Sequence, residues 1–497
     1  MNLCSLFHHS LTAMSVLLVC VLCLLFAVVY EFGRRKHLFF ISRSIRGPNP
    51  LPLVGHLTDN WSKPWMRVAR QRQQRFGHVY GIFIGLTPRL VISDPAIVKK
   101  MLTRDFAYFG DRITSRFEHP IEQKMLFNLL GEEWSSWRKA STPAFSPLKL
   151  KAMSPLFDAA SDHLLSEVKK RMSGGEEDIE VRFLLANAAL EVIASTGLGI
   201  EMNLYEKSEP MVEAIKTYFH TTNWKVFAGM LMPKWLKQMI GFTQFNKDGL
   251  LTSSSIVKSI IAQRRTASDE KRPFADFTSI LMKTEVMENG MKRYPSDDEI
   301  TANILSLFLA GFDSVAILMS STVFMLARHP QVQQQVFDEV VATVPVTAES
   351  VMDMKYMDAV LNEVLRIYPP STFNERVVTK EYDLNGAKLP VGLHVLIPVY
   401  NMHHDEENFP DAEKFDPNRF LTGGAGESPA FMPFGVGPRA CPGTRYTMME
   451  TKIVLSRLIQ EFEFRVSESF TGDIDVSETV DELLMPSEMI VHFHSRK

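Results

Sequence analysis

Ten residues, Phe434-Gly435-Val436-Gly437-Pro438-Arg439-Ala440-Cys441-Pro442-Gly443, hold the most legible chemistry of this chain. Three glycines and two prolines make a rigid loop with unusual backbone angles around one thiol. A helix-compatible stretch, Thr444 to Leu458, follows at once. Cys441 therefore stands at a helix N-terminus, where the dipole and free N–H groups stabilise a thiolate. A lone cysteine is by default a small buried hydrophobe. A thiolate held by backbone donors is a metal ligand or a nucleophile, and a nucleophile needs a histidine partner that the loop lacks. Elsewhere, Glu363 and Arg366 are three apart on one helix face, spaced for an ion pair; at an exposed site such a pair is common and contributes little. Ala310 and Ser314, four apart, face the same way, with Asp313 beside them. The Ser314 hydroxyl can bond a carbonyl one turn earlier and locally open the helix.

The elements that must position these residues are mostly helical. Ser296-Asp297-Asp298-Glu299 reads as a capping box, so a helix starts near 297 and runs to about Arg328, before Pro330. Its apolar run 304–326 is long enough for a membrane span, but Asp313 in the middle is costly in hydrocarbon. Apolar all round and about 48 Å long, it reads as a helix through the centre of one large domain. From about 95 to 370 the pattern is overwhelmingly helical. Strands are expected at 78–84 and 89–93 as a hairpin, at 382–384 before the Asn385-Gly386 turn, at 394–399 and at 489–493. Residues 267–276 read as a polar linker.

The N-terminus reads differently. Residues 11–30 carry no charge and span about 30 Å as a helix, a bilayer's hydrocarbon thickness. A cleaved signal peptide is the alternative, opposed by the long apolar run and the absence of Lys or Arg before it. Arg34, Arg35, Lys36, Arg43 and Arg46 follow the span, which places the bulk of the chain in the cytosol. Gly47-Pro48-Asn49-Pro50-Leu51-Pro52 reads as a stiff extended strut. The expected organisation is an anchor over 1–33, a basic, proline-rich linker over 34–52 and one catalytic domain over 53–497. Residues 218–240 hold two Trp, and Pro233 divides them into two short helices. They read either as core or as a second membrane contact, with Lys225, Lys234 and Lys237 staying among headgroups.

Composition bounds the rest. The 497 residues carry 54 Lys and Arg against 57 Asp and Glu, a net charge of −3, which gives no reason to expect a nucleic-acid partner. Hydrophobic residues at 45% exclude disorder. Cys4, Cys20 and Cys23 precede a body whose single thiol is Cys441, so the body has no internal disulfide, cysteine zinc cluster or four-thiolate iron–sulfur site.

The loop F-x-x-G-x-R-x-C-x-G resembles the haem-thiolate loop of the cytochrome P450 family at every fixed position. Glu363-Val364-Leu365-Arg366 resembles that family's E-x-x-R, and Phe415-Asp416-Pro417-Asn418-Arg419-Phe420 its meander motif. Ala310-Gly311-Phe312-Asp313-Ser314 resembles its oxygen-binding helix motif, with serine where threonine is usual. Trp134-Ser135-Ser136-Trp137-Arg138 resembles the W-x-x-x-R of its propionate helix. The resemblance covers about residues 48–497 and looks closest to animal microsomal drug and steroid hydroxylases and thromboxane synthase.

That resemblance implies a mainly α fold with small β-sheets around one long central helix, behind an N-terminal transmembrane anchor. It implies haem with Cys441 as its axial thiolate and metal ligand. Trp134, Arg138, Arg376, Arg439 and, by a weaker carry-over, Arg112 face the propionates; Phe434, Gly443 and Ala310 lie against the ring, and Gly311 lets the flat cofactor approach. Asp313 and Ser314 relay protons. Glu363, Arg366 and Arg419 form a structural network. Phe117, Phe127, Leu309, Ala310, Ser371, Thr372 and Phe373 match pocket-lining stretches. The implied activity is oxygenation of small apolar substrates with O2 and electrons from a diflavin NADPH reductase, with cytochrome b5 as a second partner, at the endoplasmic reticulum membrane. Lys139, Arg445 and Lys452 would attract an acidic partner; otherwise they are ordinary solvated charges. The alternatives are a haem-thiolate isomerase of lipid peroxides and, from another class, a haem-free membrane-tethered binding protein.

Overall fold

The long central helix runs from Asp297 to Arg328. Its start is fixed as its sequence predicts: the Glu299 N–H donates to Ser296 Oγ at 3.3 Å and the Ser296 N–H to Glu299 Oε2 at 2.8 Å. This comes from a computed structural model, which describes residues 3–60, 64–113, 119–219, 223–232, 234–266, 276–422, 424–470, 472, 474, 476, 483–484 and 488–496. The helix is buried along most of its length and packs on a second apolar helix, Val181–Leu198. Among the described residues both are long and apolar enough to cross a membrane, and both are mostly buried inside the protein.

Eleven strands form small sheets among the described residues. These are β1 (Val79–Ile84), β2 (Thr87–Ile92), β3 (Asp178–Glu180), β4 (Val286–Glu288), β5 (Met291–Arg293), β6 (Asn374–Val377), β7 (Tyr382–Leu384), β8 (Ala387–Leu389), β9 (His394–Ile397), β10 (Phe462–Val466) and β11 (Ile490–Ser495). The largest sheet has the order β1-β2-β9-β6, with β2 and β9 parallel and the other pairs antiparallel. The second has the order β10-β11-β3. The predicted hairpins stand: β1 and β2 close through Gly85-Leu86, and β7 and β8 through Asn385-Gly386.

Residues 11–30 lie within one helix, Leu3–His37, longer at both ends than the apolar run. Val16, Val19, Leu24, Phe26 and Val28 on it are exposed. The segment after it is docked on the body. Phe40 is buried in the space that a Cβ on Gly81 would take, and the Gly81 N–H donates to Arg46 O at 2.8 Å. Residues 45–50 belong to no helix or strand, and the chain then turns, pairing Leu51 with Gly55.

The helices Asn223–Leu231 and Lys234–Ile240 flank position 233 as expected. Trp224 and Trp235 are 60% and 65% exposed, and Leu231, Met239 and Ile240 are exposed beside them. Lys237 departs from the reading: its side chain is buried, so it does not extend toward headgroups. The linker's residues 267–275 lie outside the described residues.

Candidate active site

The cysteine loop is closed by backbone bonds. The Cys441 N–H donates to Phe434 O at 2.8 Å and the Ala440 N–H to Gly437 O at 3.0 Å. Gly437 sits at φ +79, and a Cβ there would overlap Leu102 O, so only glycine fits. The helix Thr444–Glu461 begins directly after Gly443. Cys441 is solvent-accessible, yet surrounding protein desolvates its thiol and pushes its pKa up, against the pull of the Gly443 N–H, Arg138 and Arg112. A Cβ on Gly443 would lie 3.8 Å from Sγ.

Arg138 and Arg112 act on this thiol, and both also act on a third guanidinium, that of Arg439. Arg439 is stacked 4.0 Å over the buried Trp134 ring. It donates from Nε to Gly110 O at 2.9 Å and from Nη2 to Leu129 O at 2.7 Å. Its Nη1 and the Nε of Arg112 are buried with no hydrogen-bond partner among the described residues. Burial and the charges of Arg112 and Arg138 push Arg439 down to about 9, with Asp111 opposing them. Asp111 Oδ1 lies 3.7 Å from Arg439 and also accepts the Gly131 N–H at 2.9 Å. Arg138 is half-buried; burial lowers its pKa while Cys441 raises it. Arg376 is buried on β6, its Nη1 donating to Glu375 O at 2.7 Å, next to the bridge that joins Val377 to Asp111. Buried donors without acceptors are costly. Three cations around one carboxylate and a thiol fit a ligand with further carboxylates and an iron atom, which is the donor set that haem requires.

The central helix contributes one accessible patch. Ala310 is exposed while Phe308, Phe312 and Val315 beside it are buried. Ser314 Oγ donates to Ala310 O at 2.6 Å, as the i, i+4 spacing predicts. The helix nevertheless remains continuous, because one back-bond bends without breaking the ladder. Gly311 serves a different purpose from the one expected. A Cβ there would lie 2.7 Å from Ile193 Cδ1, so the glycine lets the Val181–Leu198 helix approach. Asp313 is half-exposed; burial raises its carboxyl to about 6, against the charge of Arg182.

Glu363 and Arg366 are both fully buried, so the exposed-pair reading does not apply. Arg366 donates to both Glu363 oxygens at 2.8 Å, to His403 O at 3.0 Å and to Ala412 O at 2.7 Å. Glu363 Oε1 also accepts the Asp416 N–H at 2.9 Å and Arg419 Nε at 3.2 Å. Sequence reasoning missed His403. Its Nε2 accepts the Met432 N–H at 3.1 Å and its Nδ1–H donates to Arg366 O at 3.2 Å. Burial holds it neutral, with a pKa down to about 3. It thus ties the ion pair to the chain entering the cysteine loop, and no local spacing marks it.

Some expected pocket residues lie elsewhere. Thr372 is fully buried, its hydroxyl accepting the Trp65 indole N–H at 3.1 Å, and Phe373 packs edge-on against Trp65 at 4.8 Å. Both close the core under the largest sheet. Ser371 Oγ donates to Phe373 O at 2.9 Å. Phe127 and Leu309 pack half-buried against the main core, and Phe117 lies outside the described residues. Lys452 is buried and bonded to Val351 O at 2.9 Å and Asp358 at 2.6 Å, so of the three proposed surface cations only Lys139 and Arg445 are exposed.

A family model for cytochrome P450 matches residues 45–492. Mouse cytochrome P450 3A41 is 30% identical over 486 residues, 95% of each chain. Human cytochrome P450 3A5 is 28% identical over 93% of each chain, and the lithocholate 6-beta-hydroxylase of Mesocricetus auratus is 27% identical over 93% of each. With the mainly helical fold and a donor set suited to haem, these matches place the chain in the cytochrome P450 family, as a haem-dependent monooxygenase.

Proposed function

We propose that the chain oxygenates small apolar molecules of the steroid, bile-acid or xenobiotic kind, with Cys441 as the axial thiolate. The observation that carries this is the thiol acted on by Arg138 and Arg112, with Arg439 coupled to both and with N–H groups of Arg112 and Arg439 that are buried and have no partner among the described residues. Trp134, Arg138, Arg376, Arg439 and Arg112 hold the propionates, and Phe434, Gly443 and Ala310 border the ring. Haem bound through sulfur supplies dioxygen activation, with the thiolate's electron density favouring O–O cleavage. The protein's own residues hold, orient and deliver protons. Haem content per chain, followed by incubation with NADPH, reductase and a lipid extract and mass spectrometry for +O products, tests this reading. Stoichiometric haem without NADPH-dependent oxygenated product would remove it.

Asp313 keeps its proton to about pH 6, where Ser314 beside it can order a water. Because the folded pKa lies above the usual carboxylate value, the protonated fraction falls as pH rises through 6. Product per NADPH is therefore expected to decline from pH ~6 upward, and Asp313→Asn to abolish that limb. In Ser314→Ala, product formation is expected to fall by about 10²-fold while NADPH consumption continues, the difference appearing as peroxide. An isomerase splits no dioxygen and would keep its turnover. Wild-type yield per NADPH in Ser314→Ala would remove this hydroxyl from the mechanism.

The electron donor is a diflavin NADPH reductase, assisted by cytochrome b5, and the chain sits on the cytosolic side of the endoplasmic reticulum membrane, anchored by its N-terminal helix. The mammalian relatives and the apolar surface of Leu3–His37 support this. Deleting residues 1–33 is expected to weaken membrane binding and leave haem content unchanged. Trp224→Gln with Trp235→Gln in that truncated form is expected to move it to the soluble fraction. Unchanged partitioning on flotation would show that the two exposed indoles do not touch lipid.

A further inference from the structure

A cleft of about 830 Å³ lies between residues 42–46, just beyond the N-terminal helix, and the β7–β8 hairpin. Arg43, Arg46 and Lys388 line it together with the apolar Phe76, Val79 and Leu384, and no carboxylate is among its lining residues. Both walls are fixed. The Gly81 N–H bond to Arg46 O holds one, and the Asn385-Gly386 turn, with φ of 54 and 89, holds the other. Arg43 ties them together, donating from Nε to Lys388 O at 3.1 Å and from Nη1 to Phe39 O at 2.8 Å, with its guanidinium 4.0 Å over the Phe39 ring. Its Nη2 has no partner among the described residues, and the exposed side chains of Arg46 and Lys388 make no hydrogen bond or ion pair there. Asp383, opposite Lys388 in the hairpin, directs its carboxylate to the Gly386 N–H at 2.6 Å.

We infer that this cleft binds the phosphate-bearing headgroup of an anionic phospholipid. Three cations without a counter-ion converge on one space, and Arg43 offers an uncommitted edge of a fork suited to phosphate. The apolar lining matches the glycerol end of a lipid and has no use for a free phosphate. The position favours the membrane source: the cleft begins five residues after His37, and Leu38 and Ile41 beside it are exposed. The inference rests on the proposed anchoring of Leu3–His37 in a bilayer.

The test titrates the purified full-length holoprotein with soluble short-chain phosphatidylserine, short-chain phosphatidylcholine or inorganic phosphate, read by native mass spectrometry. Phosphatidylserine is expected to bind as a single adduct, more tightly than phosphatidylcholine, and phosphate to compete poorly. Removing two cations in R46Q/K388Q is expected to weaken phosphatidylserine roughly thirty-fold, and R46K/K388R to retain it. Equal phosphatidylserine binding by R46Q/K388Q, or equal binding of phosphatidylcholine, overturns the headgroup site. Displacement of the lipid by phosphate at similar concentration overturns it in favour of a plain anion site. Carbonate extraction of native membranes reads the anchor separately. Release of the chain there overturns the anchoring but not the cleft, whereas retention without phosphatidylserine selectivity overturns the cleft alone.

Discussion

In Cys441→Ser, the reduced carbon monoxide complex is expected to lose the thiolate-type Soret band, and NADPH-dependent product to fall to background. Serine keeps the size and the loop: the Cys441 N–H bond to Phe434 O and the glycine at 437 do not depend on sulfur. What changes is the donor. A serine hydroxyl stays protonated at neutral pH; burial raises the pKa of the Cys441 thiol too, but the Gly443 N–H, Arg138 and Arg112 oppose that rise and a thiol is intrinsically far more acidic. The guanidinium groups proposed to hold the propionates are untouched, so the mutant is expected to bind some haem while losing the chemistry that sulfur donation supplies. A mutant complex with the native Soret position would show that another group is the ligand.

Arg366→Ala and Glu363→Ala are each expected to yield little holoprotein. The pair has no contact with solvent, and each partner serves several others. Removing Arg366 leaves a buried carboxylate with Arg419 as its one cation beside the Asp416 N–H, and strips donors from His403 O and Ala412 O. Removing one partner of a buried pair costs about 3–5 kcal/mol, a large share of the 5–15 kcal/mol that typically separates folded from unfolded domains. The damage is expected to reach the active site through His403, which joins Arg366 O to the Met432 N–H at the entrance of the cysteine loop. Haem occupancy and melting temperature measure the effect. Glu363→Gln, which keeps one acceptor, is expected to fall between native and alanine. Normal haem occupancy in either alanine variant would show that the network does not hold the loop.

Local features of the chain were legible because their physics is local. The Ser296–Glu299 capping box set the start of the central helix, since both bonds lie within four residues. The i, i+4 spacing of Ala310 and Ser314 produced the hydroxyl bond to the carbonyl one turn back, and the i, i+3 spacing of Glu363 and Arg366 produced their ion pair. Asn385-Gly386 made its hairpin for the same reason. The glycines and prolines around Cys441 marked a rigid loop with unusual backbone angles, and Gly435 and Gly437 take positive φ there.

Burial and long-range pairing were decided only in three dimensions. Nothing in E-x-x-R distinguishes a solvated pair from one sealed under His403, Ala412 and Arg419, because those partners come from segments 37 to 56 residues away. Gly311 read as clearance for a cofactor and turned out to be clearance for Ile193, which the Val181–Leu198 helix brings against it. Thr372 and Phe373 read as pocket and became core because Trp65, some 300 residues earlier in the chain, packs against them. Lys237 and Lys452 read as surface charges and are buried. Sequence by itself determined the local pairings, the turns and where the central helix would start. The tertiary structure decided which side chains water reaches, because desolvation depends on every segment that packs against a group and not on its neighbours in the chain.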